Sequence, residues 1–314
     1  MKVIIFASDR FAIEPLEALL SSRHDVLSLT GRPDRPAGRG LIPVPTPAVE
    51  LARDKGLEVW QPENLSCECF QPGLADIEWD AGVVVAYGGL IPRWLLDTPP
   101  FGFVNLHPSL LPRYRGAAPI ERALMNGASI TGVTTMKMNE RLDAGDILLH
   151  MEEPINDEDN ARTLAERLSH VGARLLVETL DALADGGIEA VPQEEEKATY
   201  APPVRSSDAE IDWALPAESI TRLIRAMDPD PGAFTFFRGK RIKVWSAHVT
   251  EVPPEDEPGT IMNLGKEGFI VNTGTTGVQV LTLQPEGKGR MGAAEFSRGQ
   301  RLLIAERFTA GQPA

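Results

Sequence analysis

The sequence predicts an α/β amino-terminal domain followed by a smaller all-β domain. Three observations carry that expectation. Apolar strand-like runs alternate with helical periodicity from residue 2 to residue 183, the pattern of a parallel sheet with helices on both faces. An acidic and then proline-rich stretch, residues 192–197 (PQEEEK) and 200–203 (YAPP), breaks that texture. Beyond it, five short β-rich runs follow one another between glycines and prolines, the spacing of a small antiparallel barrel. The expected division is a first domain over 1–189, a linker over 190–207 and a second domain over 208–314.

Bulk properties narrow the function classes. A chain of 314 residues exceeds one typical domain, and 42% hydrophobic with 24% charged residues is ordinary for a globular protein. No apolar run approaches the roughly 18 to 20 residues that cross a bilayer, and a strand-like run (KVIIF) begins at Lys2. A cytoplasmic chain with no membrane partner is expected, acting as a monomer. Cys67 and Cys69 lie too close for an ordinary disulfide and lack the companions of a zinc site. Net charge is −14, yet residues 208–314 hold 12 Lys+Arg against 14 Asp+Glu. A polyanionic partner must therefore meet local basic patches, not a global field.

Taken in order, residues 2–7 read as a buried strand, residues 11–20 as a helix and residues 26–29 as a second strand. The turn Ser8-Asp9-Arg10 lacks the glycine fingerprint of a dinucleotide site, which counts against a nicotinamide enzyme. Residues 30–47 (TGRPDRPAGRGLIPVPTP) are dense in Pro, Gly and Arg. Prolines rule out a continuous helix there, so a long mobile loop is expected, with Arg32, Arg35 and Arg39 as a candidate anion patch. Residues 48–55 read as a helix, 57–60 as a short strand and 81–86 (AGVVVA) as a central strand. Tyr87-Gly88-Gly89-Leu90-Ile91 follows directly, where open α/β sheets bind ligands. Residues 147–151 read as a strand and 161–183 as a long amphipathic helix closed by Asp185-Gly186-Gly187. In the second domain residues 218–227 look helical, residues 233–237, 240–249, 259–263, 268–272 and 277–284 look like strands, and residues 293–298 form a closing helix.

The chemistry concentrates in residues 102–146. A short apolar strand delivers Asn105 and His107 to its carboxyl end, two apart and so on one face. Asp143, beside a glycine turn, is the candidate carboxylate. Acyl transfer between nitrogens needs a donor for the oxyanion, a group that moves protons and a charge that steadies it. Asn105, His107 and Asp143 fit those three needs, with Asp143 raising the imidazole pKa and fixing its tautomer. No metal is expected, because the five histidines form no sequence-local ligand cluster. Ser109 lacks the glycine-flanked elbow of a serine nucleophile. The residues alone support an acyl or one-carbon transferase, and each taken singly also suits a structural role.

The same residues resemble a known family. Asn105-Leu106-His107, the run from Ser109 to Ile120 (SLLPRYRGAAPI) and Leu142-Asp143-Ala144-Gly145-Asp146 look like the signature of the folate-dependent formyltransferases. Further matching stretches are residues 32–40, 83–88, 211–213, 224–226, 243–245, 258–261 and 283–285. The resemblance implies a Rossmann-like formyltransferase domain followed by an OB-fold-like barrel. It further implies 10-formyltetrahydrofolate as donor, Asn105, His107 and Asp143 as the catalytic trio, and a pterin pocket lined by Tyr87, Gly88, Leu90, Ile91, Ser109, Leu110, Leu111, Pro112 and Met138. The end-to-end pattern implies methionyl-initiator tRNA as acceptor, met by Arg32, Arg35 and Arg39. Two other readings are an N-formyltransferase acting on an amino sugar nucleotide and a tRNA-binding relative without catalysis. The chain departs from the family pattern at Ser8-Asp9-Arg10, at Leu41 and Ile42 where lysines are common, at Gly89, at Pro108 after the histidine, and at Pro229-Asp230-Pro231.

Overall fold

The computed structural model describes residues 1–37, 42–66, 74 and 77–311. They form two compact units, one of residues 1–119, 130–154 and 165–202, the other of residues 120–129, 155–164 and 203–314. The expectation for Cys67 and Cys69 lies outside the described residues.

In the first unit β1 (Lys2–Ala7) leads through a 3-10 turn, Arg10–Ala12, into the helix Ile13–Leu20, and β2 (Asp25–Thr30) follows. Next come the short strands β3 (Arg35–Ala37) and β4 (Ile42–Val44), the helix Pro47–Asp54 and β5 (Glu58–Trp60). The sheet continues with β6 (Ala81–Val85), β7 (Phe103–His107), β8 (Ile130–Lys137) and β9 (Ile147–Pro154). Its order is β5-β2-β1-β6-β7-β8-β9. The first five strands are parallel. Every residue of β6 and β7 is buried, which is why their apolar runs are continuous and not alternating: both faces of a parallel sheet are covered.

The parallel pairing ends at β7: β8 pairs antiparallel to β7, and β9 antiparallel to β8. Residues 138–146 between them are too few for the crossover that parallel neighbours require.

The structured part of the 30–47 segment is a correction. It is a two-stranded ribbon, not a loop, with Arg35 opposite Val44, Pro36 opposite Pro43 and Ala37 opposite Ile42. Two prolines facing each other remove no needed donor in a ribbon whose outer edges are unpaired. Arg39 lies outside the described residues.

Strands β2 and β5 lie on one side of β1, whereas β6 and β7 lie on the other. The order therefore reverses between β1 and β6, and ligands of open α/β sheets sit outside the carboxyl ends at such a switch point. Behind it Phe6, Trp79, Tyr87, Ile91, Leu95 and Phe103 form a buried cluster. Phe6 meets Tyr87 edge-on at 5.8 Å, and Trp79 meets Phe103 edge-on at 5.7 Å.

The second unit is a six-stranded antiparallel sheet. Its strands are β10 (Phe234–Phe237), β11 (Lys240–Val249), β12 (Ile261–Leu264), β13 (Phe269–Asn272), β14 (Gly277–Pro285) and β15 (Met291–Gly292), in the order β10-β11-β14-β13-β12 with β15 on β14. Residues 305–309 join its two outer strands, Phe236 pairing with Thr309 and Thr260 with Arg307. Phe308 fills the interior, stacked on Phe269 at 5.5 Å and tilted on Phe237 at 4.9 Å. The five expected strands all appear, as do the helices Ala217–Ala226 and Ala293–Gln300. No helix among the described residues is long and apolar enough to cross a membrane.

Candidate active site

The site is built on the carboxyl end of β7. Alternation along that strand puts Asn105 and His107 on one face, and both are buried. The Asn105 side chain makes no hydrogen bond to another described residue.

His107 is held from two sides. Its Nε2 lies 3.0 Å from the Tyr114 carbonyl. A carbonyl only accepts, so Nε2 carries the proton and Nδ1 is the free nitrogen of the neutral ring. Tyr114, not Asp143, therefore selects the tautomer, which corrects the expectation. Nδ1 faces Asp143 Oδ2 across 3.8 Å, too long for a direct hydrogen bond and suited to one bridging water or a small closure. Asp143 Oδ2 also accepts the Gly116 N–H at 2.8 Å.

Pro108 completes a tight turn in which the Ser109 N–H bonds the His107 carbonyl at 2.9 Å. The ring sets the φ that such a three-residue turn requires, and residue 108 has no donor to lose. The Ser109 hydroxyl donates to the Arg113 carbonyl at 2.6 Å, and Thr134 bonds both the Ser109 carbonyl and the Leu111 N–H. The SLLPRYRG segment is thus stapled to itself and to β8, with Ser109 occupied as a structural donor.

Three non-glycine residues around the site adopt positive φ: Ala86 (46°), Tyr114 (59°) and Asp143 (47°). Each costs on the order of 1–3 kcal/mol and persists only where the surroundings enforce it. Ala86 turns the chain from β6 into the Tyr87 loop. Tyr114 aims its carbonyl at His107, and Asp143 aims its carboxylate at the same ring.

Of the residues expected to line a pterin pocket, Tyr87 and Ile91 lie in the buried cluster and Met138 packs against it. Leu90 is 86% exposed. Burial pushes the Tyr87 phenol up. Leu111 is buried and Ser109 fully so. Leu110 lies against the backbone of Gly132 on β8. Arg32 donates to the Gly88 carbonyl at 3.1 Å, which ties the base of the ribbon to the Tyr87 loop. Arg35 is exposed on β3.

Sequence reasoning missed Arg115, Gln193 and Glu195. Arg115 is 1% exposed and directs its guanidinium at the Gln193 side-chain oxygen, at 2.7 and 3.0 Å, and at Glu195, at 3.0 Å. Arg141 reaches Glu195 from the Asp143 turn, also at 3.0 Å. Residues 191–201 were expected in a linker; they pack on the first unit, with Val191 paired to Ile147 and Tyr200 to Arg115. The hydrogen bond from Arg115, helped by the charge of Arg141, holds the Glu195 carboxyl below its usual range.

A carboxyl depressed on folding stabilises the native state above its unfolded value, and that contribution is lost as pH falls through the folded value. The loss of melting temperature from about pH 5.5 to about pH 4 should therefore be smaller in Glu195→Gln than in the unaltered chain. Equal losses would show that Glu195 contributes nothing there. In the same turn, a Cβ on Gly145 would collide with the Lys137 carbonyl. Gly145→Ala should cost about 1–3 kcal/mol in urea unfolding, and an unchanged midpoint would mean that the turn yields freely.

Comparison with known proteins identifies the family. The sequence profile of the formyl transferase family matches residues 1–180, and that of the formyl transferase C-terminal domain matches residues 203–301. The chain belongs to the formyl transferase family. It is 44% identical to a methionyl-tRNA formyltransferase of Carboxydothermus hydrogenoformans over 98% of this chain and 99% of that one. It is 41% identical to a methionyl-tRNA formyltransferase of Moorella thermoacetica over 98% of both. Among solved structures, a sugar 3N-formyl transferase, WlaRD, crystallised in the presence of dTDP and 5-N-formyl-THF, superposes with a TM-score of 0.69. That pair is 15% identical over 92% of this chain and 99% of the other, a likeness of fold alone. In this formyl transferase, Asn105 and His107 lie on one face of β7 at its carboxyl end, and the Asp143 carboxylate faces the His107 ring.

Proposed function

We infer that the chain moves the formyl group of 10-formyltetrahydrofolate to the α-amine of methionyl-initiator tRNA, giving formylmethionyl-tRNA for translation initiation in the cytoplasm. The observation that carries this reading is the end-to-end relation to two methionyl-tRNA formyltransferases, which spans both units. We assign the chemistry to the domain of residues 1–189, together with residues 191–201 packed on it, and acceptor binding to residues 208–314.

The residues suit each step. The Asn105 amide donates to the formyl oxygen as it gains negative charge, a role that an uncharged donor fills at any pH. The attacking α-amine titrates near about 7.7 to 8.0, so a useful fraction is already neutral at physiological pH. His107 Nδ1 takes the proton that this amine loses and returns it to the departing donor nitrogen. Asp143 opposes the charge that the ring carries in between, while the Tyr114 carbonyl keeps Nε2–H in place. Tyr87 and Ile91, buried in an aromatic and apolar cluster with Met138 packed against it, are assigned to the wall of the pterin pocket, which calls for such side chains.

Cations supported on aromatic rings favour a nucleic-acid acceptor for the second unit. Arg290 and Lys243 lie over Trp245 at 3.7 and 5.5 Å, and Arg241 lies over Phe234 at 3.6 Å. In the first unit, Arg35→Ala should weaken tRNA binding and reduce the slope of log K against log salt by about 1. An unchanged slope would mean that Arg35 meets no phosphate.

The deciding experiment supplies labelled 10-formyltetrahydrofolate with methionyl-initiator tRNA, methionyl-elongator tRNA and an amino sugar nucleotide in competition. Label on the initiator tRNA is expected. Preferential labelling of the sugar nucleotide would replace this reading, and tRNA binding without transfer would make the chain a binder.

A further inference from the structure

We propose that Gln193 is a positioning residue for Asp143, an inference that rests on the reading of Asp143 as part of the reacting site. Asp143 and Tyr114 sit in separate loops, each in a left-handed conformation, and between them they flank His107. One side chain ties these loops together. Gln193 Nε2 donates to the Asp143 carbonyl at 2.9 Å and to the Gly145 carbonyl at 2.7 Å. Its Oε1 accepts from Arg115 Nη2 at 2.7 Å and Nε at 3.0 Å.

The orientation of this amide is unambiguous, because both carbonyls only accept and the guanidinium only donates. Each hydrogen and each lone pair of the amide is used. Arg115 lies between Tyr114, whose carbonyl receives the His107 proton, and Gly116, whose N–H anchors the Asp143 carboxylate. Gln193 therefore spans the backbone of Asp143 on one side and the anchor of its side chain on the other. The 3.8 Å separation of His107 Nδ1 and Asp143 Oδ2 is set across that bridge. Within its own turn, the Asn139 side chain donates to the Ala144 carbonyl and accepts from the Arg141 N–H, and the Ala144 N–H reaches the Arg141 carbonyl at 3.4 Å.

Gln193→Glu isolates the role. The carboxylate keeps its bonds to Arg115 but has no hydrogen for the two carbonyls, and its charge repels them. Gln193→Ala removes both halves. These are measured in the full chain alone and combined with Asp143→Asn, which keeps an acceptor for Gly116 and loses the charge. Misplacement of a catalytic group by about 1 Å can cost about 100-fold, so a fall in kcat of about 10- to 100-fold is expected for Gln193→Glu, with KM for donor and acceptor within about twofold. On the Asp143→Asn background the same change should cause no further loss. A merely structural role would lower thermal stability and leave kcat in place, or would multiply with Asp143→Asn, and either result overturns the proposal. If Asp143→Asn alone keeps full turnover, the reading of the site falls and Gln193 falls with it. If Asp143→Asn is slow and the losses multiply, Gln193 alone is wrong.

Discussion

His107→Ala is expected to lower the rate of formyl transfer by about 100- to 10,000-fold, the usual contribution of a positioned acid–base group. The size follows from the geometry. Nε2 is committed to the Tyr114 carbonyl, which leaves Nδ1, facing Asp143, as the nitrogen for the proposed proton transfer. Alanine leaves the Asp143 carboxylate with its Gly116 partner but with nothing to transmit its charge. Binding of either substrate should stay within a few-fold, because the role assigned to the ring is proton transfer and not substrate anchoring. A variant that keeps more than about a tenth of the turnover would remove His107 from the proton path.

Asn105→Ala should cost about 100- to 1000-fold in kcat with little change in KM, as when one oxyanion donor is removed elsewhere. Its amide spends no hydrogen bond on the described fold, so stability should hardly move. The isosteric Asn105→Asp separates charge from shape: it presents an acceptor and a negative charge where a donor is needed, and should be at least as slow as the alanine variant. Recovery of activity in Asn105→Asp would mean that the side chain serves shape and not the oxyanion.

Part of this site was legible in the sequence because it is local. Asn105 and His107 share one strand, two residues apart, and strand geometry alone places them together. The five strands of the second unit were legible for the same reason, each a β-rich run closed by Gly or Pro. The Tyr87 loop followed from the rule that ligands gather beyond the carboxyl ends of parallel strands.

Other features depend on contacts that no local pattern encodes. Tyr114 matters through its backbone carbonyl, and a carbonyl direction created by a positive φ leaves no mark in residue type. Gln193 lies 78 residues from Arg115 and 50 from Asp143, in a stretch whose acidity and prolines resemble a plain connector. The ribbon of residues 35–37 and 42–44 was hidden by its own prolines, which weaken a strand reading but cost nothing where the edges are unpaired. The antiparallel return of β9 on β8 turned on the brevity of residues 138–146, a length whose meaning becomes clear only once both flanking strands are known.

The most direct measurement is the single-turnover rate of formyl transfer from 10-formyltetrahydrofolate to methionyl-initiator tRNA, with both bound at saturation. It compares the unaltered chain with a chain carrying Asn105→Ala and His107→Ala together. Saturation removes binding from the comparison, so only the reacting geometry at the end of β7 is tested. Retained affinity for both substrates is expected, with transfer slowed by at least about 1000-fold. Transfer within a few-fold of the unaltered rate would contradict the account, because the chemistry would then have to lie elsewhere in the chain.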